Sequence, residues 1–357
     1  MNVTRAQVLA YRYARHGLGE GAPDDALLTL GVQDSPAGSA AQALAVRGLD
    51  EKGLVTVWSF RGAPHRHRSG DLRRLSAAAW PLSAADAASR LAGFGSTLRK
   101  AERSGLVAMR EAAAAIADVV TGPGTSKSDL SSGVTKRVDE LYSFWCRGCG
   151  ATHVHDQLLR LTALHAGVRL DASAPVTFAP IARWPGVPAE AKGAEALVLA
   201  YLTLHGPATP GDAGGFLGTT AANVKPAWPA DGLAEVRVDG RKAWLPEDSL
   251  DALRSAPKPE GVRLLPPSDP YLQMRDRELL VPDPAHRKAL WPVLAWPGAV
   301  VSGGEVTGYW RAKQGAKGRL AVTVTAWGKA PRKGVESEAA RVASLRGAEA
   351  VDVTFAE

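Results

Sequence analysis

Apolar residues recur at helical spacing from about Thr4 to Arg15, again over Asp24 to Leu30, and again over Ser39 to Arg47, which predicts three short helices. Leu54 to Phe60, LVTVWSF, has strand composition, and HRHRSGDL after Gly62-Ala63-Pro64 is placed to return as the second strand of a hairpin. Three short helices followed by a hairpin is the winged form of the helix-turn-helix.

The pattern then repeats. Ser83 precedes an Ala-rich helix, Ser96 a longer one running towards Val120, and Thr152 a helix that continues through Leu164. GPGTSKSDLSSGVTKRV begins at Gly122, and GPATPGDAGGFLGTT begins at Gly206 directly after the amphipathic AEALVLAYLTLH of Ala194 to His205. In both, Gly-Pro ends one helix and a Ser-x-x-Asp or Thr-x-x-Asp group opens the next, as a helix-turn-helix corner requires. A helix over Thr219 to Trp228 and a wing at AEVRVDGRKAWL, with Asp239-Gly240 as its turn, complete a third copy. Pro257-Lys258-Pro259 links to a last part with a short helix over Pro284 to Trp291, strands at GAVVSG, VTGYWRAK and GRLAVTVTAW, and a final helix over Ser337 to Leu345. The expected fold is therefore α+β: winged helices over 1–80, 81–182 and 183–256, then a β-rich C-terminal element over 257–357.

Composition narrows the class. Hydrophobic residues make up 45% and charged residues 22% of the 357, and no apolar run approaches membrane-spanning length, so a soluble protein without membrane contact is expected. Arg5, Arg12 and Arg15 interrupt the amino end, which reads as cytoplasmic rather than secreted. Two cysteines, Cys146 and Cys149, cannot form a disulfide framework, so packing must hold the fold. The net charge of +7 favours a polyanionic partner. It concentrates in FRGAPHRHRSGDLRR, with Arg61, His65, Arg66, His67 and Arg68, and in Val306 to Val335, which holds Arg311 and Lys313 and no acid. Each cluster by itself reads as a solvated face.

Four stretches together resemble the family of winged-helix DNA-binding proteins and DNA glycosylases of the AlkZ and YcaQ type. They are GVQDSPAGSAAQALAVRG, the FRGAPHR hairpin, RLLPPSDPYLQMRDRELLVPDPAHRKALWPVL, and VTGYWR with its basic tail. The resemblance implies a curved array of tandem winged helices, double-stranded DNA as partner, and hydrolysis of the N-glycosidic bond of alkylated purines, with crosslink unhooking as an extension. It also implies a catalytic Gln-x-Gln or Gln-x-Asp motif, which falls on Gln33, Asp34 and Ser35. Ser35 departs from both patterns. Three readings stay open: Asp34 takes over the role, Gln33 and Ser35 hold water differently, or the chain binds DNA without catalysis, as a regulator or by sequestering damage.

The chemistry asked of such a site is modest. An N7-alkylated purine is already cationic and leaves as a neutral base, so a held water and a polar group near C1′ suffice without a general acid. The bland reading of Gln33-Asp34-Ser35-Pro36 is a cap and turn before a helix. Phosphate contacts are expected from Arg66, Arg68, Arg311 and Lys313, groove contacts from Arg61, His65 and His67, and further contacts from Arg237, Arg241 and Lys242 on the third wing. Cys146, Cys149, His153 and His155 are competent zinc ligands, but their spacing is poor for a structural site, so a buried cysteine pair beside a helix start is expected, with no metal or cofactor. Trp58, Trp80, Trp244 and Trp310 read as core-edge residues. With no coiled-coil heptads, the chain reads as a monomer. A scaffold for protein partners is the remaining rival.

Overall fold

The computed structural model describes residues 1–171, 175–315 and 318–356. Thr4 opens the first helix, Arg5–Arg15, through a capping box in which its side chain accepts from the Gln7 amide and the Gln7 side chain accepts from the Thr4 amide. Short helices follow at Ala26–Leu30 and Ser39–Val46. The hairpin Leu54–Trp58 and Pro64–Arg68 then pairs in antiparallel register from Leu54↔Arg68 to Trp58↔Pro64. Two further hairpins close the later segments, Val168–Asp171 with Thr177–Pro180, and Leu233–Val238 with Arg241–Pro246.

The repeated corners are capped alike. Ser126 accepts from the Asp129 amide at the start of Lys127–Thr135, and Thr209 forms a capping box with Asp212 at the start of Pro210–Leu217. Elsewhere the structure departs from the sequence pattern, each time for a local reason. The stretch after Ser96 is divided into Ala92–Lys100 and Gly105–Val119, because Glu102 takes a left-handed φ of 55° between them. After Thr219 the helix Ala221–Val224 gives way to a single tighter turn over Lys225–Ala227, where Pro226 has no amide to donate. Thr152 does not cap a helix: Ala151–Val154 pairs as a strand with Ser143–Cys146, and the helix starts later, at Asp156–Ala163. The final helix starts earlier than its pattern, at Arg332, directly after Pro331.

The hairpins do not stand alone as wings. Thr56↔Leu170 joins the first to the second, and one six-stranded sheet runs Val32–Gln33, Pro64–Arg68, Leu54–Trp58, Val168–Asp171, Thr177–Pro180, Thr125–Ser126. The third hairpin takes Asn2–Val3 as a parallel edge strand. The C-terminal sheet runs in chain order through Val262–Leu265, Gly298–Ser302, Glu305–Gln314, Arg319–Ala326 and Ala350–Ala356. Its last, parallel pair is bridged by the helix Arg332–Leu345, which buries Val335, Ala339 and Val342 against Val322 and Val324.

Two buried ion pairs tie the amino-terminal helices to the C-terminal part. Arg47 makes paired hydrogen bonds of 2.8 and 2.7 Å to Asp269, both side chains fully enclosed. Arg12 reaches Asp276 at 3.0 and 2.7 Å and also donates to the Gly206 and Pro207 carbonyls. Gln42 donates to the Leu264 carbonyl at 3.0 Å in the same seam. No helix among the described residues is long and apolar enough to cross a membrane.

Candidate active site

The seam between the amino-terminal and C-terminal parts opens into a cavity of about 700 Å³. Gln33 and Ser35 line it from one side, and Ser268, Trp296, Arg311 and Arg346 are among the residues facing them. Asp34 does not line it. Successive side chains of an extended segment leave it on opposite faces, and the ladder continues through Asp34, whose amide donates to the Pro64 carbonyl at 2.9 Å. Its carboxylate turns into the fold, accepts from the Ala40 amide at 3.0 Å, and stands 3.5 Å from Arg66. The expected trio is thus divided: Gln33 and Ser35 meet the cavity, and Asp34 secures the start of the helix Ser39–Val46.

Gln33 is held at both ends of its amide. Nε2 donates to Ser268 Oγ at 3.2 Å, and Oε1 accepts from Arg61 at 3.3 Å. Arg61 also donates to the Phe216 carbonyl and, at 3.1 Å, to Gln273, and it lies over the Phe216 ring with 5.0 Å to the centroid. Burial, with the neighbouring Arg275 charge, pulls its pKa down to about 9, which leaves it cationic at neutral pH. Arg61 therefore belongs to the inner support of Gln33 and is not a groove contact on an exposed wing.

His65 and His67 are corrected in the same direction. On the strand Pro64–Arg68 the alternation turns both rings inward, where they are buried. His65 Nδ1 lies 2.9 Å from the Ala63 carbonyl and His67 Nε2 lies 3.1 Å from Ser59 Oγ. Burial pushes the His65 pKa well below its ordinary range and that of His67 down to about 4, so both are neutral. Space is tight as well: Gly31, at φ 76°, would place a Cβ 2.3 Å from the His67 ring.

The cationic candidates differ in their surroundings. Arg66 pairs with Glu51 and Asp34, and Arg68 with Asp25 and Asp71, so much of their charge is answered within the protein. Arg237, Arg241 and Lys242 are exposed on the third hairpin. Arg241 stands 3.5 Å from Glu278 and Lys242 3.1 Å from Glu235, and both line a different cavity. Arg311 and Lys313 are exposed on the strand Glu305–Gln314, and among the described residues neither forms an ion pair. Lys317, part of the same basic run, lies outside the described residues.

Several residues in and around the cavity were not among the candidates drawn from the sequence. Ser268 and Asp269 sit in LPPSDPY, a motif whose oxygens turn out to serve Gln33 and Arg47. Arg346, over the buried Trp310 ring with 5.7 Å to the centroid, comes from the end of the final helix region. The apolar rim comes from WPVLAWP. Arg277 lies against Trp291 and Trp296, 4.6 and 5.3 Å from their centroids, and Trp296 Nε1 donates to the Pro292 carbonyl at 2.7 Å. The loop so framed presents Val293 and Leu294 at 97% and 80% exposure beside the cavity. Among the described lining residues there is no carboxylate.

Comparison with known proteins places this geometry in context. The model of a family described as DNA glycosylase AlkZ-like matches residues 36–345, beginning one residue after Ser35. An interstrand DNA cross-link repair glycosylase from Streptomyces sahachiroi is 33% identical over 176 residues, which span 46% of this chain and 46% of that relative, a little under half its length. The solved structure of the Streptomyces sahachiroi DNA glycosylase AlkZ superposes with a TM-score of 0.75 over 100% of both chains at 23% identity, a likeness of fold.

Proposed function

Because the chain belongs to the AlkZ-like DNA glycosylase family, we propose that it hydrolyses the N-glycosidic bond of alkylated purines in double-stranded DNA, with Gln33 and Ser35 at the reacting sugar. The observation that carries this reading is a cavity joining the neutral polar side chains of Gln33, Ser35 and Ser268 with two arginines and no carboxylate. Without a carboxylate beside it, water is a weak nucleophile, so the substrate must bring its own activation. A purine alkylated at N7 does so: its positive charge weakens the bond from C1′ to the base nitrogen. The bond breaks with its electron pair going to the base, water adds at C1′ and gives up a proton to solvent, and the products are a neutral alkylpurine and an abasic site.

In this reading Gln33 presents its carbonyl oxygen and Ser35 its hydroxyl to the water or the sugar. Ser268 and Arg61 keep the Gln33 amide from rotating, the pre-organisation on which such weak groups depend. Asp34 is a positioning residue. Arg311, Arg346 and Lys313 are assigned to phosphates near the cavity, and Arg66, Arg68, Arg237, Arg241 and Lys242 to more distant ones. Val293 and Leu294 are assigned to the gap left when the damaged nucleotide leaves the stack, the use to which other DNA proteins put apolar wedges. The Streptomyces sahachiroi relative, an interstrand DNA cross-link repair glycosylase, extends the substrate class to crosslinks joined through purine nitrogens.

The finer architecture belongs here too. We read the chain as three winged-helix units over 1–80, 81–182 and 183–256 and a C-terminal element over 257–357. The three hairpins closing successive groups of helices support that count. We also read the chain as a monomer working on DNA in the cytoplasm.

The test is incubation of the protein with duplex carrying 7-methylguanine, scored for abasic sites. Base release above the protein-free rate, lowered roughly 10²-fold in Gln33→Ala, is the expected result. Salt-dependent duplex binding without any release would replace the enzyme by a non-catalytic DNA binder.

A further inference from the structure

We propose that Cys146, Cys149 and His153 form a binding site for one thiophilic divalent cation of the zinc class. Their ligand atoms lie within 4.8 Å of one another. In a tetrahedral site with Zn–S of about 2.3 Å and Zn–N of about 2.0–2.1 Å, neighbouring ligand atoms stand roughly 3.5–3.8 Å apart, so small side-chain rotations close the geometry.

The hairpin explains how so short a stretch brings three ligands together. Ser143–Cys146 and Ala151–Val154 pair with Cys146 opposite Ala151 and Phe144 opposite His153. Residues paired across two strands share a face, which sets Cys146 and His153 diagonally on one side. Between the strands, Arg147-Gly148-Cys149-Gly150 turns back on itself: the Gly150 amide donates to the Cys146 carbonyl at 2.9 Å, with Gly150 at φ 61°. Cys149 comes from that turn, so the ligands that sequence spacing sets too close are separated by the fold of the chain.

A second observation points the same way. His153 Nε2 is buried and has no hydrogen-bond partner, while Nδ1 lies 3.4 Å from Ser131 Oγ. That is the arrangement of a ligating imidazole, one nitrogen held by an outer oxygen and the other left for a metal. His155 is excluded from the set: its ring stacks on Phe94 at 4.2 Å between centroids. The two cysteines are free thiols, Cys149 exposed, so soft ligands are accessible to a cation from solvent. Three protein ligands leave a fourth position for water. A two-stranded hairpin is marginal by itself. The cation would fasten its turn and hold the neighbouring Trp145, 63% exposed, in a fixed attitude.

The experiment uses the full chain, stripped with chelator and kept under a thiol-free reductant, and titrates it with Co²⁺ alone and then with Zn²⁺. The expected result is one Co²⁺ per chain, a thiolate-to-cobalt charge-transfer band, visible bands of tetrahedral intensity, and bleaching by one equivalent of Zn²⁺. Cys149→Ser and His153→Ala should each weaken Co²⁺ binding at least tenfold, and His155→Ala should leave it unchanged. Zinc should raise the Tm of the wild type but not of Cys146→Ser/Cys149→Ser. The proposal is overturned by a featureless cobalt titration of protein with both thiols reactive, by bands that persist in the double cysteine variant, or by a Cys146–Cys149 disulfide that survives the reductant.

Discussion

Asp34 separates two jobs that adjacent residues perform at this site. Its carboxylate answers the Ala40 amide and Arg66 on the inner side of the chain, while Gln33 and Ser35 face the cavity. Asp34→Ala should therefore lose about 1–2 kcal/mol of stability, the usual cost of a lost helix-start acceptor and its partner. Gln33→Ala should leave the urea midpoint nearly unchanged and lower base release. Paired denaturation curves and abasic-site assays check this: an Asp34→Asn variant that is stable but inactive would return the carboxylate to the chemistry. Arg47 and Asp269 make the corresponding point about support. Both are fully enclosed, so Arg47→Met leaves a buried carboxylate without its partner, and a loss of about 3–5 kcal/mol in urea unfolding is expected.

The loop from Trp291 to Trp296 acts at the scale of an element. Its base is set by the Arg277 guanidinium against two indoles and by the Trp296–Pro292 hydrogen bond, while its tip buries almost nothing. A loop whose exposed apolar tip is dispensable to the fold can be changed without unfolding the protein. Val293→Asp/Leu294→Asp should keep the wild-type Tm while weakening damaged-duplex binding and base release at least tenfold, because a charge must then enter the base stack. Equal activity in the double variant would remove the wedge assignment. The strand Pro64–Arg68 shows how an element changes the meaning of its residues. HRHR reads as a basic patch, yet alternation sends both imidazoles to one buried face and leaves the two arginines to acidic partners on the other.

Across the whole molecule, five histidines, His16, His65, His67, His165 and His205, are buried and held neutral. Burial takes the pKa of His67 down to about 4 and that of His165 down to about 3. In the unfolded chain a histidine titrates near 6.5, so between those values the unfolded state binds protons that the folded state refuses. Stability must then fall as pH drops below about 6.5 and level off above about 7. Urea midpoints measured at about pH 7.5 and about pH 5 should show a clear decrease at the lower pH; identical midpoints would contradict neutral buried rings. Positive charge has a similar distribution. The net +7 is not spread evenly, since several hairpin arginines are answered by acids, and Arg311 and Arg346 remain at the cavity.

Gln33 came into view only through the family resemblance, whereas local chemistry was legible in the amino-acid order: a helix starting near Thr4, capped corners at Ser126 and Thr209, the Asp-Gly hairpin and the α+β class. Each depends on neighbours a few residues apart, where hydrogen bonds and periodicity act directly. Tertiary structure alone decided which face Asp34, His65 and His67 take, that Ser268 and Arg61 hold Gln33, and that Cys146, Cys149 and His153 converge. Those outcomes are set by contacts between segments as many as 235 residues apart, and by burial, which reverses the meaning of a charged or titratable side chain without altering the chain around it.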